Sequence, residues 1–196
     1  MLALAAHRDL VVSAGADGTL SLFRLCDERK LQPLDGARPD GAPVFAALCT
    51  DDGLYVGCAD RAVRWAAWAD VLSPRRGLRA LTRACDGHTG WVRALAAHRK
   101  GSLLLSVGCN FACAWALPSL APRGRARLFT GDILALATAG EHLYSGGADG
   151  SLHRFAIKTG DASSHALAED GARADAHAGR VEVRRALCTT HDALTD

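Results

Sequence analysis

The sequence predicts an all-β protein assembled from copies of one antiparallel sheet, and three observations carry that prediction. The first is a repeated octapeptide. Ser13-Ala-Gly-Ala-Asp-Gly-Thr-Leu20 returns 132 residues later as Ser145-Gly-Gly-Ala-Asp-Gly-Ser-Leu152, with six of eight positions identical. A weaker copy, Val56-Gly-Cys-Ala-Asp-Arg-Ala-Val63, lies between them. The second is the spacing of the turn acid: Asp17, Asp60, Asn110 and Asp149 follow one another at intervals of 43, 50 and 39 residues. Such a period matches the roughly 40–45 residues of a four-stranded propeller blade. The third is a constant internal order of short apolar strands and polar turns, with the alternation and β-branching that favour strand over helix. Together they predict a β-propeller of four-stranded antiparallel blades, about four of them plus a partial fifth.

Each copy opens on a short apolar strand, at Leu2–Ala6, Val44–Cys49, Trp91–Ala97 and Ile133–Thr138. A polar turn follows, and then a second strand at Leu10–Ala14, Leu54–Gly57, Leu103–Val107 and Leu143–Gly146. The Asp/Gly turn comes next. Its acid accepts hydrogen bonds from turn N–H groups that would otherwise go unpaired, and Gly18 and Gly150 supply the positive φ such turns require. Third strands are predicted at Thr19–Leu25, Ala62–Trp68, Phe111–Leu117 and Ser151–Ile157. Fourth strands fall in the variable segments near Lys30–Leu34, Leu78–Cys85, Arg125–Thr130 and Ser163–Leu167. The blades then span about 1–42, 43–87, 88–131 and 132–176, with Val181–Thr190 opening a partial fifth in 177–196. A propeller closes to hide its edge strands, so the chain reads as part of a larger ring.

Composition narrows the function classes. Hydrophobic residues make up 49% of the 196, enough for a sizeable core. The formal net charge is +2, from 23 basic and 21 acidic residues. That balance argues against a nucleic-acid or membrane-surface binder, whose domains carry a marked basic excess. No apolar run approaches the roughly 20 residues that span a bilayer. The apolar start, Met1 to Ala6, ends at His7-Arg8-Asp9 and lacks the form of a signal peptide. Seven irregularly spaced cysteines read as reduced thiols rather than a disulfide framework. An intracellular protein, in cytoplasm or nucleus, is expected.

The segment Gly87-His88-Thr89-Gly90-Trp91-Val92-Arg93-Ala94-Leu95 resembles the one that opens a WD-repeat, where Gly-His precedes the first strand. With Ser106 and Trp115 downstream, the third copy holds most of that family's internal signature. The resemblance implies a hydrogen-bonded set of His, Ser, Asp and Trp that locks each blade. Carried over by position, the set is His88, Ser106, Asn110 and Trp115 in the third copy. The fourth supplies Ser145, Asp149 and Phe155, the first Ser13, Asp17 and Phe23, and the second only Asp60. The Trp-Asp dipeptide that names the family ends no third strand here, and Gly-His occurs once.

Other residues invite sharper readings, each with a plainer one beside it. The turn acids recur once per copy, so a ring separates them too widely for a shared catalytic or metal site. His88 as a general base has no serine or cysteine nucleophile in a strained elbow beside it, and His98, His142 and His153 read as surface residues. Cys109 and Cys113 have C-x₃-C spacing, but no second ligand pair follows for zinc, so they and Cys58 read as core packing. Arg75, Arg76, Arg79 and Arg83, and Arg123, Arg125 and Arg127, fall near outer strands, where charge blocks sheet-to-sheet pairing; an anionic partner on that rim is the alternative. Trp91 reads either as a packed structural residue or, with Arg93, as part of a docking surface. In the family it resembles, residues opening the first strand often reach the face where partners bind. The matching positions are Val44, Asp132 and Arg180.

The reading that results is a non-enzymatic WD-repeat-like scaffold for a protein or peptide partner, with no cofactor and no metal. Two alternatives stay open: a propeller enzyme of the quinoprotein-dehydrogenase type, which the run from Leu143 to Gly160 also resembles, and an inert fragment of a larger protein.

Overall fold

The computed structural model describes residues 1–26, 30–38, 41–98, 102–109, 111–127, 132–157 and 167–175, with backbone alone for 83–84 and 167–175. Among the described residues, sixteen strands form four sheets. The first holds β1 (Ala3–His7), β2 (Leu10–Ala14), β3 (Leu20–Leu25) and β4 (Leu31–Ala37). The second holds β5 (Val44–Cys49), β6 (Gly53–Cys58), β7 (Val63–Ala67) and β8 (Thr82–Cys85). The third holds β9 (Val92–His98), β10 (Leu103–Gly108), β11 (Phe111–Ala116) and β12 (Pro122–Arg127), and the fourth β13 (Ile133–Ala139), β14 (His142–Gly147), β15 (Ser151–Ile157) and β16 (Leu167–Asp175). Every sheet runs antiparallel in sequence order. The opening strands pack successively, β1 on β5, β5 on β9 and β9 on β13. They form the inner edge of an arc of blades, as expected of part of a β-propeller.

An apolar layer fills each gap between neighbouring sheets. Leu10, Val12, Leu20 and Leu22 of the first sheet meet Leu54, Val56 and Cys58 of the second. Tyr55 and Val63 of the second meet Leu104, Cys113 and Trp115 of the third. Leu103, Leu105, Val107 and Ala114 of the third meet Ile133, Leu143, Phe155 and Ile157 of the fourth. A sheet sealed on both sides cannot keep an apolar/polar alternation; accordingly β6 and β10 are buried at every position. Neighbouring sheets are also stapled at the inner edge: Val44 N–H donates to Gly15 O at 3.3 Å, Ile133 N–H to Cys109 O at 3.1 Å and Thr138 Oγ1 to Ala97 O at 3.0 Å.

Several boundaries differ from the sequence-based expectation. The third strand of the second copy stops at Ala67, and Trp68–Val71 forms a single helical turn, α1. The segment from Leu78 is not one strand: a 3₁₀ turn covers Gly77–Ala80, its Leu78 N–H held by Asp35 Oδ2 at 2.6 Å, and β8 begins only at Thr82. In the third copy the outer strand runs earlier than expected, Pro122–Arg127, starting on a proline that an edge strand tolerates. In the fourth it runs later, Leu167–Asp175. Residues 128–130, 163–166 and the expected fifth copy at 177–196 lie outside the described residues. His98, expected at the surface, is buried at 4% exposure because the next sheet's turn covers it, with its Nε2 donating to Gly140 O at 3.0 Å.

A close approach between sheets fixes a glycine. A Cβ on Gly57 of β6 would lie 2.7 Å from Val92 Cγ1 and 2.9 Å from Val92 O on β9. Gly57→Ala is expected to lower the free energy of unfolding by about 1–3 kcal/mol, the usual cost of overpacking. Gly36→Ala on outer strand β4, with nothing nearer than Leu20 O at 3.8 Å, is expected to change it by less than about 0.5 kcal/mol. Urea titration of the two variants checks the contrast.

Candidate functional site

The turn acids sit one per sheet, each bonded within its own turn. Asp17 Oδ1 accepts from Thr19 N–H at 3.1 Å and Thr19 Oγ1 at 2.6 Å, which holds its carboxyl below the usual range. Asp149 Oδ1 accepts from Ser151 N–H at 3.0 Å and Ser151 Oγ at 2.6 Å. Asp60 Oδ1 accepts from Ala62 N–H at 3.2 Å and also pairs with Arg64, whose Nη2 lies 2.7 Å from Oδ2. Arg64 is only 2% exposed and Asp60 is part-buried, so the second sheet carries a part-buried ion pair that sequence reading did not anticipate. After each acid the backbone turns left-handed: φ is 77° at Gly18, 84° at Gly150 and 72° at Arg61, where a non-glycine residue accepts the strain. Asn110 lies outside the described residues. Among the described residues, no three His, Cys, Asp or Glu side chains converge as a metal site would require.

The third copy brings His88, Ser106 and Trp115 together. Trp115 Nε1–H donates to Ser106 Oγ at 2.7 Å, and Ser106 Oγ lies 2.7 Å from His88 Nε2. The indole fills one lone pair of Ser106 Oγ; in the tautomer whose Nε2 accepts the hydroxyl proton, the His88 proton sits on Nδ1, which faces Cys113 Sγ at 3.9 Å. Gly108 leaves room for the ring, since a Cβ there would stand 2.9 Å from Nδ1. Ser106 is fully buried and His88 is 6% exposed. Burial first, and then the Arg125 charge, push the His88 pKa down to about 4; burial pushes the Cys113 thiol up to about 11. A neutral imidazole, a sealed hydroxyl and a protonated thiol hold the layer together.

The other copies do not reproduce this set. Phe23 and Phe155 stand opposite Val11 and Leu143, as Trp115 stands opposite Leu104. A phenyl ring donates no hydrogen bond, and Ser145 Oγ is buried without a partner among the described residues. Ser13 is half-buried.

A different cluster forms at the end of the sheets that carries the Asp turns. Trp91 is 49% exposed and stacks on Phe45, ring centroids 5.3 Å apart and planes at 21°. Arg93 lies over both rings, its Cζ 5.1 Å from the Trp91 centroid and 5.4 Å from that of Phe45. Its Nη2 is 3.6 Å from Asp132 Oδ2, with the two side chains 24% and 50% exposed. Three blades thus contribute to one patch. Trp91, Arg93 and Asp132, read separately from the sequence, meet here; Val44 is buried beneath, and Arg180 lies outside the described residues.

Phe45 escaped the sequence reading, and the reason is a β-bulge. Val44 and Ala46 pair with the adjacent residues Cys58 and Gly57, which leaves Phe45 as an extra residue. Arg93 is the extra residue between Val92 and Ala94, and Leu134 between Ile133 and Ala135. A bulge re-aims the side chain it carries, so three inner strands each turn one residue out of the packed layers at the same height. Aligning the copies on Ala46, Ala94 and Ala135 would have placed Phe45 beside Arg93.

Comparison with known proteins agrees with the fold. Residues 79–115 match the family model "WD domain, G-beta repeat". The computationally designed protein Ika8 superimposes with a TM-score of 0.67 at 23% identity, over 90% of this chain and 49% of its own. Designed Ika4 gives 0.62 at 20% identity, over 80% and 91%. A chain of the mitotic checkpoint complex gives 0.71 at 15% identity, over 90% and 52%. This chain therefore spans about half the length of two of these structures. No curated protein matches it in sequence. The fold is that of a β-propeller, and the chain resembles the WD-repeat propellers, with one repeat that matches their family model. At family level that is a protein-interaction scaffold.

The buried imidazole makes stability depend on pH. His88 titrates at 6.5 in the unfolded chain and at about 4 in the fold. Between those values the unfolded chain holds the proton and the folded one does not, so acid favours unfolding. The contribution is complete above pH 6.5 and is lost as pH falls towards 4, by about 3 kcal/mol at most. Urea midpoints measured across that window should fall more steeply for the wild type than for His88→Gln. Parallel curves would contradict the assignment.

Proposed function

We propose that the chain is a non-enzymatic scaffold that binds a protein or peptide partner on the patch formed by Phe45, Trp91, Arg93 and Asp132. The observation that carries this reading is a half-exposed indole held by two neighbours, one of them itself anchored. Phe45 stacks beneath it, Arg93 flanks both rings, and Asp132 holds Arg93. Tryptophan and arginine are enriched among the residues that dominate interface energies. A pre-ordered side chain also loses less entropy on binding than a free one. The exposed indole edge offers apolar contact, and the outer oxygen of Asp132 offers an acceptor for a partner's N–H.

Catalysis finds little support in the one histidine–hydroxyl pair of the third sheet, because Ser106 is sealed and already accepts from Trp115. The Asp turns are engaged in their own backbone. Six described cysteines are free thiols, in keeping with a reducing intracellular compartment. Among the described residues no helix is long and apolar enough to cross a membrane.

Selection of a displayed random-peptide library on the full chain tests the reading. Enriched peptides are expected to lose about 2 kcal/mol of binding, roughly thirtyfold in affinity, with Trp91→Ala. Arg127→Ala, on the outer strand of the same sheet, should leave them unaffected. Peptides that bind Trp91→Ala and Asp132→Ala as well as the wild type would place the partner elsewhere.

A further inference from the structure

A cleft of about 620 Å³ opens where the outer strands of the first sheet meet the 3₁₀ turn of the second. Leu20, Ala37 and Leu81 give it an apolar floor, and Ser21, Arg38 and Arg79 carry its polar groups. Leu20 and Leu81 are buried, whereas both arginines are exposed. The arginines come from different walls: Arg38 directly follows β4, and Arg79 lies in the 3₁₀ turn Gly77–Ala80. Asp35 of β4 ties those walls together. Its Oδ2 accepts from Leu78 N–H at 2.6 Å and its Oδ1 from Gly36 N–H at 2.8 Å. Gly77, at φ 55°, permits the close approach, since a Cβ there would collide with the same carboxylate. Arg79 is thereby placed by a backbone bond one residue away.

The carboxylates around this cleft are already engaged. Both oxygens of Asp35 accept from backbone N–H groups. Asp70 pairs with Arg76, Oδ1 to Nη1 at 3.1 Å. Asp17 turns Oδ1 to Thr19 and meets Arg38 only at 3.4 Å through Oδ2. Among the described residues, no hydrogen bond or ion pair engages the Arg79 guanidinium or the Ser21 hydroxyl. The cleft is therefore rich in donors and poor in acceptors. Guanidinium groups present fixed forks of N–H donors that match a planar anion.

We propose that this cleft binds an acidic segment of a partner protein, with an aspartate or glutamate carboxylate held by Arg38 and Arg79 and a small apolar side chain beside it over Leu20, Ala37 and Leu81. The basic residues of the Arg75–Arg83 run thus do more than block sheet-to-sheet pairing: Arg79 faces a cavity, and Arg38 of the neighbouring sheet faces the same one. A short acidic segment suits the cleft better than an extended polyanion. Asp17 and Asp35 flank it, and they would repel a phosphate backbone or an anionic membrane surface laid across it, while a single carboxylate meets the arginines alone. The cleft shares no residue with the patch of Phe45, Trp91, Arg93 and Asp132, so the two sites can be tested apart.

Selection of a displayed random-peptide library on the full chain carrying Trp91→Ala, which disables the other patch, tests the cleft. Enriched peptides should carry Asp or Glu next to a small apolar residue, and their binding should weaken with added salt. Arg38→Ala and Arg79→Ala should each lower affinity at least about tenfold, as expected for the loss of hydrogen bonds to a charged group. Arg79→Lys keeps the charge without the fork and should recover part of the loss. Both side chains are exposed, so the variants should keep the parent's circular dichroism spectrum. A selection without acidic enrichment, or acidic peptides that bind either alanine variant as tightly as the parent, would overturn the proposal. So would sedimentation with phosphoinositide-bearing vesicles that Arg79→Ala abolishes, because that result assigns the cleft to a membrane.

Discussion

The structure depends on one constraint: each inner sheet must be apolar on both sides. A strand between two layers has no face for water, so the amphipathic alternation of an ordinary antiparallel sheet is lost there. β6 and β10 show it most plainly, with every residue buried. Polar chemistry is pushed to the strand ends, where the Asp turns and inner-strand connectors lie. The proposed docking surface lies at such an end, where the bulges at Phe45 and Arg93 each turn one residue out of the packed layers.

Where polar groups do enter the layers, each sheet answers differently. The third aligns Trp115, Ser106 and His88 in one hydrogen-bonded chain. The second uses the Asp60–Arg64 pair. The fourth keeps the serine but has a phenylalanine where the indole would donate, and Ser145 Oγ is left unsatisfied among the described residues. A buried hydroxyl without a partner costs free energy, so the third sheet has the better-satisfied layer. The degenerate repeats are thus several local solutions to one packing problem.

What was legible in the sequence follows from how local the physics is. Asp17, Asp60 and Asp149 bond to residues two positions on, so the turn can be read from a few neighbouring letters. The inner three strands of each copy were legible because burial fixes their composition. The outer strands were not: β4 is exposed at most positions, and β12 carries three arginines, so neither has a hydrophobic pattern to read. Burial of His98 depends on a turn 42 residues away, and the Asp60–Arg64 pair was hidden because arginine at that point of a strand normally faces water. Trp91, Arg93 and Asp132 were picked out one by one, but Phe45 joins them only through a bulge, and an inserted residue breaks the period of two on which strand reading rests.

Native-state hydrogen exchange tests the sealed-sheet account most directly, since it reports which backbone amides open only on global unfolding. The slowest amides should belong to β6 and β10, which are closed on both faces, and those of β4 and β12 should exchange far sooner. Equal protection of outer and inner strands, or fast exchange across Leu54–Cys58 and Leu103–Gly108, would contradict radial stacking of the four sheets.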